Sequence, residues 1–275
     1  MNSLKDTVII IPSRIGSTRL EKKPLAMIEG KTLIERVYNQ LKSTGLPNIF
    51  IATDSQEIYS LAEEIGAKPI MTDSSCSTGT DRVYDCYKKI NNNGAIKYIV
   101  NVQGDMPFIS PETIKSVIKL LRTNKFDITT PVVRTSKKNV EGFSNVKVVA
   151  CGVEKILIDT DTGKVIKEVT KKTNGAEKEE EIEFSKAIYF SRSLIPHNSE
   201  EFLYHVGIYG FTSGSIKKFC NLPQSYLEKT ENLEQLRALE NDMSIGVCYV
   251  DDIPISVDTK EDLEKAIEKC KNFPQ

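Results

Sequence analysis

Apolar and polar positions follow two alternating periods along the first half of the chain. Short continuous apolar runs, typical of buried strands, alternate with segments whose apolar residues have helical spacing. The apolar runs predict strands at 7–11, 48–53, 67–72, 97–104 and 126–132. The helical spacing predicts helices at 31–42, 55–66, 81–90 and 110–124. This alternation predicts a largely parallel sheet covered by helices on both faces, with right-handed crossovers.

The pattern changes after residue 143. VKVVACG and EKILIDTDTGKVIKEV resemble antiparallel strands with a hairpin turn near 161–163, and the charged segment 171–183 predicts a solvated loop or ribbon tip. Two strand-like segments, SKAIYFSR and EFLYHVGIYGF, precede a helical LEKTENLEQLRALEND, and the chain closes with a short strand and a helix. We expect one domain over 1–275 with an antiparallel insert around 144–210.

Composition narrows the class of protein. Hydrophobic residues make up 39% and charged residues 27%, as in ordinary globular chains. The formal net charge of −1 shows no basic excess, so we expect no nucleic-acid partner. No segment has the length or apolarity for membrane insertion, and the first residues lack a secretory-signal pattern. Six scattered cysteines without C-x-x-C pairs predict free thiols in a reducing compartment, so we expect a cytoplasmic protein.

The loop after the first predicted strand is rich in cations and small residues. Ligands of open α/β sheets lie beyond the carboxyl ends of strands, where backbone N–H groups and cations suit a polyphosphate. The alternative is a basic surface loop. The segment matches neither a Walker A loop nor G-x-G-x-x-G. Its candidate residues are Arg14, Gly16, Ser17, Thr18, Arg19, Lys22 and Lys23.

Two acidic residues stand at predicted strand ends. Asp105 follows the buried strand of VNVQGDMPFI, and Asp258 lies at a strand–helix boundary in SVDTKEDLE. A carboxylate at such an edge can hold Mg²⁺ against phosphate oxygens. The alternatives are a turn or helix-capping residue for Asp105 and the N-cap of the last helix for Asp258. Spacing does not decide between these roles.

Three further groups have open interpretations. Ser77, Thr78, Gly79 and Thr80 precede a helix predicted to start near Asp81, where they could contact a base or sugar or simply cap the helix. A lone strand histidine such as His205 is usually packed and hydrogen-bonded, and His197 is expected to be exposed. Glu234 and Gln235, taken alone, would be ordinary helix surface residues.

Together these segments resemble the 3-deoxy-manno-octulosonate cytidylyltransferase (CMP-Kdo synthetase) family. The matching pieces follow one another along nearly the whole chain: IIIPSRIGSTRLEKKPL, NIFIATD, STGTDR, VNVQGDMP, SNVKVV, IYFSRSLIP, HVGIYGF, LEQLRALE and SVDTKEDLE. The resemblance implies a Rossmann-like, mostly parallel sheet with a smaller antiparallel part for substrate and dimer contacts. It also implies a homodimer.

The family's reaction transfers CMP from CTP to 3-deoxy-D-manno-octulosonate (Kdo) for lipopolysaccharide synthesis and releases pyrophosphate. By resemblance, Arg14, Arg19 and Lys23 hold the triphosphate, and Asp105 and Asp258 are ligands of Mg²⁺. The resemblance places four residues on the cytidine and sugar side of the pocket: Ser77, Gly79, Thr80 and Arg82. The residues that it assigns to Kdo contacts are Gln103, Arg192, His205, Glu234 and Gln235.

Two departures from the family pattern matter. Met106 follows the metal Asp where a Glu or other polar residue is usual, and the segment between SNVKVV and IYFSR is longer and more charged, near the family's dimer contact. An 8-amino analogue of Kdo or a sialic-acid-like sugar stays an alternative substrate. A catalytically silent nucleotide-binding homologue is the alternative of another class.

Overall fold

The computed structural model describes residues 4–16, 19–91, 93–159, 165–168 and 179–272. Its residue contacts divide the chain into two compact units. The N-terminal unit comprises Leu4–Glu112 and Pro254–Gln275, and the central unit comprises Thr113–Ile253. The expectation of a single nucleotidyltransferase domain over 1–275 stays a prediction.

The described residues form the following strands and helices, which alternate through the first part of the chain. The strands are β1 (Thr7–Ser13), β2 (Met27–Ile28), β3 (Lys31–Thr32), β4 (Ile49–Thr53), β5 (Lys68–Met71), β6 (Tyr98–Val102), β7 (Ile128–Ser136), β8 (Lys147–Asp159), β9 (Val165–Glu168), β10 (Glu179–Ser191), β11 (Glu201–His205), β12 (Ile208–Thr212) and β13 (Ile245–Tyr249). The helices are α1 (Leu33–Lys42), α2 (Gln56–Glu64), α3 (Gly79–Ile90), α4 (Pro111–Arg122), α5 (Ser213–Cys220), α6 (Tyr226–Glu231), α7 (Gln235–Leu239) and α8 (Lys260–Asn272).

The N-terminal unit is built on a parallel sheet in the order β6-β1-β4-β5. All seven residues of β1 are buried, which explains its nearly continuous apolar run. Ser13 lies beside Thr53, and Thr53 beside Met71, so the strands end at one edge. The loops that follow β1, β4, β5 and β6 therefore start from the same side of the sheet.

Hydroxyl side chains begin the helices of this unit. Thr32, Ser55 and Thr78 each accept a hydrogen bond from a backbone N–H in the first turn of α1, α2 and α3. Thr78 forms a full capping box with Asp81, so α3 begins at Gly79, two residues before the predicted start. Gly79 and Thr80 of STGTDR thus belong to the helix instead of a preceding loop.

The central unit contains a mixed sheet in the order β11-β8-β10-β13-β7-β12, and β9 pairs with β8. β13 runs parallel to β7, whereas β10, β11 and β12 form antiparallel pairs. The antiparallel strands β8 to β11 fall within the predicted range 144–210. The α/β fold with a parallel sheet and an antiparallel part is confirmed.

Several predicted boundaries were wrong. Two separate strands were expected on either side of Gly152, but β8 continues through it as one strand. The glycine permits this because it adopts a φ of 61° within the ladder. Residues 179–183 of the predicted charged loop belong to β10, while 171–178 and the predicted turn at 161–163 lie outside the described residues.

The last two elements also differ from the sequence pattern. The single helix predicted near 227–242 is divided into α6 and α7 at Asn232, which has a φ of 56°. The predicted short strand before α8 is absent from the described residues there; instead the Val257 N–H donates to the carbonyl of Asp105 at 2.9 Å. This bond brings the segment before α8 next to the end of β6.

All six cysteines are free thiols in the structure. Within the described ranges, no helix combines the length and apolarity needed to span a membrane.

Gly246 in β13 packs directly against an aromatic ring, and we expect Gly246→Ala to destabilise the protein. A Cβ there would lie 2.2 Å from Cδ2 and 2.6 Å from Cγ of Phe126, whose ring is edge-on to Phe184. Overpacking of this kind costs about 1–3 kcal/mol. Urea denaturation should show the loss. Gly214→Ala in α5 is the control, because a Cβ there meets its nearest atom at 3.9 Å; an equal loss in both variants would contradict the steric explanation.

Candidate active site

A cavity of about 330 Å³ opens in the N-terminal unit at the carboxyl edge of its parallel sheet. The loop after β1, the start of α3, the end of β6 and the segment before α8 form its walls. The lining residues include Ser13, Arg14, Gly16, Arg19, Lys23, Ser77, Gly79, Arg82, Gln103, Asp105 and Asp258. The structure thus brings together most of the site residues expected within this unit.

Lys23 joins the two acidic residues. Its Nζ lies 2.8 Å from Asp105 Oδ2 and 2.8 Å from Asp258 Oδ1, and Arg19 Nη2 lies 3.3 Å from the same Asp258 oxygen. Burial by itself lowers the pKa of Lys23, but the nearby Asp105 and Asp258 carboxylates outweigh it and raise the pKa above its usual value. The cavity floor is therefore a compact cluster of opposite charges.

Local backbone geometry places Lys23 in this cluster. The preceding Lys22 has a φ of 47°, and the next three residues form a short 3₁₀ turn that contains the buried Pro24. The left-handed residue and the proline turn the chain sharply. Lys22 is thereby directed to Glu57, with both carboxylate oxygens at 2.9 Å, so the structure pairs this lysine away from the cavity.

Asp105 has one unsatisfied oxygen. Its Oδ1 is buried and has no hydrogen-bond partner among the described residues. A buried acceptor of this kind costs about 1–3 kcal/mol unless a ligand completes it. The remaining oxygen, Oδ2, is the one that accepts from Lys23.

Asp258 is not the N-cap of the last helix. The Thr259 hydroxyl accepts from the Asp262 N–H at 3.2 Å, and the Asp262 carboxylate accepts from the backbone N–H of Thr259 at 3.1 Å. Thr259 thus performs the capping role that the sequence had left open for Asp258. The Asp258 side chain is available to the cavity and accepts from Lys23.

The other cations of the first loop are more exposed. Arg14 is exposed, and the Arg19 side chain is 62% exposed. Ser17 and Thr18 lie outside the described residues. Exposed guanidinium groups at the cavity mouth can meet an anionic ligand without first breaking a buried ion pair.

A buried hydrogen-bonded chain supports Gln103, which lines the cavity. Gln103 Nε2 donates to Asn101 Oδ1 at 3.0 Å, and Asn101 Nδ2 donates to Thr80 Oγ1 at 3.1 Å. Thr80 is fully buried and contributes to this chain rather than to the cavity surface. Asn101 was missed by the sequence interpretation; the available signal was one polar residue within the apolar run YIVNV.

Arg82 reaches the cavity from α3 as a buried cation. Its Nη2 lies 2.7 Å from Asp54 Oδ2 and its Nη1 lies 2.7 Å from Thr72 Oγ1. The Arg82 side chain is 4% exposed. Asp54 and Thr72 were not predicted as site residues, although each directly follows a strand of the parallel sheet.

In the central unit, Tyr209 connects two of the predicted residues. The rings of His205 and Tyr209 lie 5.5 Å apart, and the Tyr209 hydroxyl donates to Gln235 Oε1 at 3.0 Å. Gln235 is 2% exposed, so the expectation of a helix surface residue was wrong. Its Nε2 is buried without a hydrogen-bond partner among the described residues. Glu234, beside it, is half-buried.

His205 is packed as a strand histidine usually is. Its Nε2 lies 2.8 Å from Thr130 Oγ1, and its ring is edge-on to Phe190. Burial lowers the pKa of His205 to about 3. The imidazole is therefore neutral at physiological pH. His197 is exposed, as expected.

Arg192 is held by backbone carbonyls. Its guanidinium donates to the carbonyls of Glu231, Phe143 and Asn232 at 2.9, 3.0 and 3.2 Å. The Glu231 carboxylate in turn accepts from the Arg192 backbone N–H at 2.9 Å. These contacts fix the side chain in one orientation.

Comparisons with known proteins identify the family of this chain. The cytidylyltransferase family model matches residues 8–245. The chain is 52% identical over 263 residues to the 3-deoxy-manno-octulosonate cytidylyltransferase of Rickettsia bellii, which covers 96% of this chain and 95% of that protein. It is 48% identical over 269 residues to the protein of that name from Rickettsia massiliae, in an alignment that covers 98% of this chain and 97% of that protein. The chain belongs to the 3-deoxy-manno-octulosonate cytidylyltransferase family.

Solved structures extend the comparison. A CMP:2-keto-3-deoxy-manno-octonic acid synthetase complexed with CTP is similar, with a TM-score of 0.79, 29% identity and coverage of 97% of this chain and 98% of that one. A cytidylyltransferase from Leptospira borgpetersenii shares the fold at a TM-score of 0.59 and 14% identity. The alignment covers 98% of this chain and 88% of that one. The predicted family assignment is thus confirmed, while the individual residue roles remain predictions.

Met106, the departure from the pattern of this cytidylyltransferase family, is a core residue. It is 5% exposed, and its carbonyl accepts from the Ile109 N–H at 3.2 Å. An apolar side chain at this position therefore packs inside the unit.

We expect His205 to stay uncharged between pH 5 and 8. The unfolded chain binds a proton at this histidine below about pH 6.5, whereas the folded chain does so only near a pKa of about 3. The free energy of unfolding should therefore fall as the pH drops below about 6.5. In the His197→Gln variant, which leaves His205 as the single histidine, the remaining imidazole NMR signals should not shift over this range. A midpoint between pH 5 and 8 would contradict the buried environment.

Proposed function

We propose that this member of the family transfers CMP from CTP to Kdo and releases pyrophosphate. The observation that carries the proposal is the cavity floor, where Arg19 and Lys23 meet Asp105 and Asp258 at the carboxyl edge of a parallel sheet. Rickettsia relatives that are 52% and 48% identical over nearly the full chain carry this activity in their name, and a similar solved structure holds CTP.

The chemistry requires an anomeric hydroxyl to attack the α-phosphorus of CTP while pyrophosphate leaves. Catalysis of phosphoryl and nucleotidyl transfer consists mainly of positioning and charge neutralisation. Arg14 and Arg19, exposed at the mouth, would bind the triphosphate and offset the charge of the leaving group. Lys23, at the floor, would exchange a carboxylate oxygen for a phosphate oxygen when the nucleotide enters.

Mg²⁺ fits the residues present. Magnesium is usually held by one or two carboxylates together with substrate phosphates. Asp105 and Asp258 converge on one ammonium, and Asp105 also has a buried oxygen that is unsatisfied within the described structure. We infer that these two residues would hold the ion. When bound, it would supply positive charge to the phosphate oxygens.

We assign the sugar to residues of the central unit. Gln235 has a buried amide donor without a partner among the described residues, and His205 is neutral with a fixed ring. Arg192 and Glu234 would add a cation and an acceptor for a carboxylate and hydroxyls. Gln103, in the N-terminal unit, is assigned to the sugar by the family resemblance, and its amide is held by Asn101.

Three further properties belong to this proposal. A cytoplasmic location is supported by the six free thiols. A role in lipopolysaccharide synthesis follows from the proposed product, CMP-Kdo. A homodimer is inferred from the family resemblance.

We expect pyrophosphate release when the protein is given CTP, Kdo and Mg²⁺. Parallel reactions with an 8-amino analogue of Kdo and with a sialic acid test the sugar. Asp105→Asn and Asp258→Asn should lose most of the turnover while keeping a wild-type circular dichroism spectrum, because each removes a carboxylate charge from the cavity floor. No release above background with any of these sugars at saturating Mg²⁺ would overturn the proposed function.

Lys23 and a divalent cation should compete for the same two carboxylates. We therefore expect Lys23→Met to bind Mn²⁺, in the absence of nucleotide, about tenfold or more tightly than the wild type, as measured by electron paramagnetic resonance. Lys22→Met is the matched control, since it removes the same charge from the neighbouring residue that pairs with Glu57. Adding Asp105→Asn to Lys23→Met should abolish the gain. Equal effects of Lys22→Met and Lys23→Met would contradict the competition.

A further inference from the structure

Arg82 differs from the arginines of the loop after β1 in its burial. Arg14 and Arg19 are exposed, whereas the Arg82 side chain is 4% exposed and forms an ion pair with Asp54 at 2.7 Å. A buried guanidinium beside a carboxylate contributes little net charge to the cavity but keeps its fork of N–H donors. Two of these donors are engaged by Asp54 and Thr72.

The two partners of Arg82 approach it from neighbouring strand ends. Asp54 directly follows β4, and Thr72 directly follows β5. The Thr72 N–H donates to the Thr53 carbonyl at 2.8 Å, which fixes the two strand ends together. Arg82 itself is anchored by the capped first turns of α3. The guanidinium orientation is thus set by the sheet, and Arg82 is the member of the trio that lines the cavity.

The cations of the cavity lining are thus of two kinds. Arg14 and Arg19 are exposed, and the Lys23 cluster includes a carboxylate oxygen of Asp105 that is unsatisfied within the described structure, so these residues suit a polyphosphate and its counterion. Arg82 is buried and its charge is balanced by Asp54, so it offers hydrogen bonds without a strong attraction for anions. A nucleoside triphosphate has the same division, because its base is uncharged and a pyrimidine carries carbonyl and ring-nitrogen acceptors.

We propose that Asp54 and Thr72 are positioning residues that orient Arg82 as a donor to the acceptor atoms of the nucleotide's pyrimidine. The inference rests on the proposed use of CTP. Asp54 has two effects, since it fixes the guanidinium plane and offsets its charge. Thr72 fixes the plane alone.

The test compares two probes that each resemble one half of the nucleotide. Cytidine carries the base without phosphates, and inorganic tripolyphosphate carries the phosphates without a base. Their dissociation constants are measured by competition against radiolabelled CTP in equilibrium dialysis. The variants are Asp54→Asn, Thr72→Val and Thr72→Ser.

We expect Asp54→Asn and Thr72→Val to weaken cytidine binding by about 10- to 100-fold, the order expected for hydrogen bonds to a charged group. Tripolyphosphate binding should be unchanged in Thr72→Val. In Asp54→Asn it should be unchanged or tighter, because the Arg82 charge is no longer offset. Thr72→Ser, which restores the hydroxyl, should bind cytidine as the wild type does.

Asp85→Asn is the matched control. Asp85 is also an ion-paired carboxylate associated with α3, but it pairs with Lys88 and Lys89 and does not line the cavity. It should bind both probes as the wild type does. If Asp54→Asn fails to fold by circular dichroism, the Thr72→Val and Thr72→Ser pair decides the outcome.

The results distinguish the positioning role of Asp54 and Thr72 from the proposed CMP transfer. Unchanged cytidine binding in both Asp54→Asn and Thr72→Val, or an equal loss of cytidine and tripolyphosphate, would overturn the positioning role even in an active enzyme. A selective loss of cytidine binding in a protein that makes no CMP-sugar would support the positioning role and overturn the proposed reaction.

Discussion

One ammonium group between two carboxylates holds the candidate site together. Lys23 reaches Asp105, 82 residues away in sequence, and Asp258, 235 residues away. Two carboxylates that share a partly buried site repel each other unless a cation lies between them. The Lys23 contacts therefore join the first loop, the end of β6 and the segment before α8 into one cavity floor. The hydrogen bond from Val257 to the Asp105 carbonyl adds a backbone constraint to the same junction.

Buried charge is balanced locally elsewhere in the molecule as well. Glu228 and Arg237 in the central unit form a buried pair with two hydrogen bonds, at 2.6 and 2.8 Å. Lys147, fully buried, donates to backbone carbonyls of the loop at Gly142 and Asn145 and of Arg192. Buried charges persist only when they are paired or hydrogen-bonded in this way. The exposed cations at the cavity mouth are thus distinct from the structural ones.

Two of the buried polar side-chain atoms that lack a hydrogen-bond partner within the described structure lie in the same cavity as the charged cluster. Among the described residues, the buried side-chain atoms without a hydrogen-bond partner are Ser13 Oγ, Asp105 Oδ1 and Gln235 Nε2. Ser13 and Asp105 line the cavity, and Gln235 lies beside Tyr209 in the central unit. Each such atom costs about 1–3 kcal/mol in the absence of a ligand. A ligand that forms hydrogen bonds with these atoms would recover this cost.

Three features could be predicted from the sequence: the parallel sheet, the residues after β1 that line the cavity, and the family. Continuous apolar runs and capped helices are local signals, and the order of strands and helices limits the topology. The loop around Arg19 and Lys23 and the strand end at Asp105 could be predicted because parallel strands end at a common edge. The family motifs supplied the rest of the residue assignments.

Which side chains face the cavity and which support them could be learned only from the folded structure. Asp258 and Thr259 are adjacent, and either could have capped α8; the contact with Lys23 from a distant loop distinguishes them. Gln235 has the local pattern of a helix surface residue but is buried against Tyr209. Asp54 and Asn101 lie within the motifs NIFIATD and VNVQGDMP but were given no role there, and Thr72 lies in no motif. Their roles come from neighbours that the chain reaches only after folding, because side-chain pairing across strands depends on long-range packing and not on local sequence.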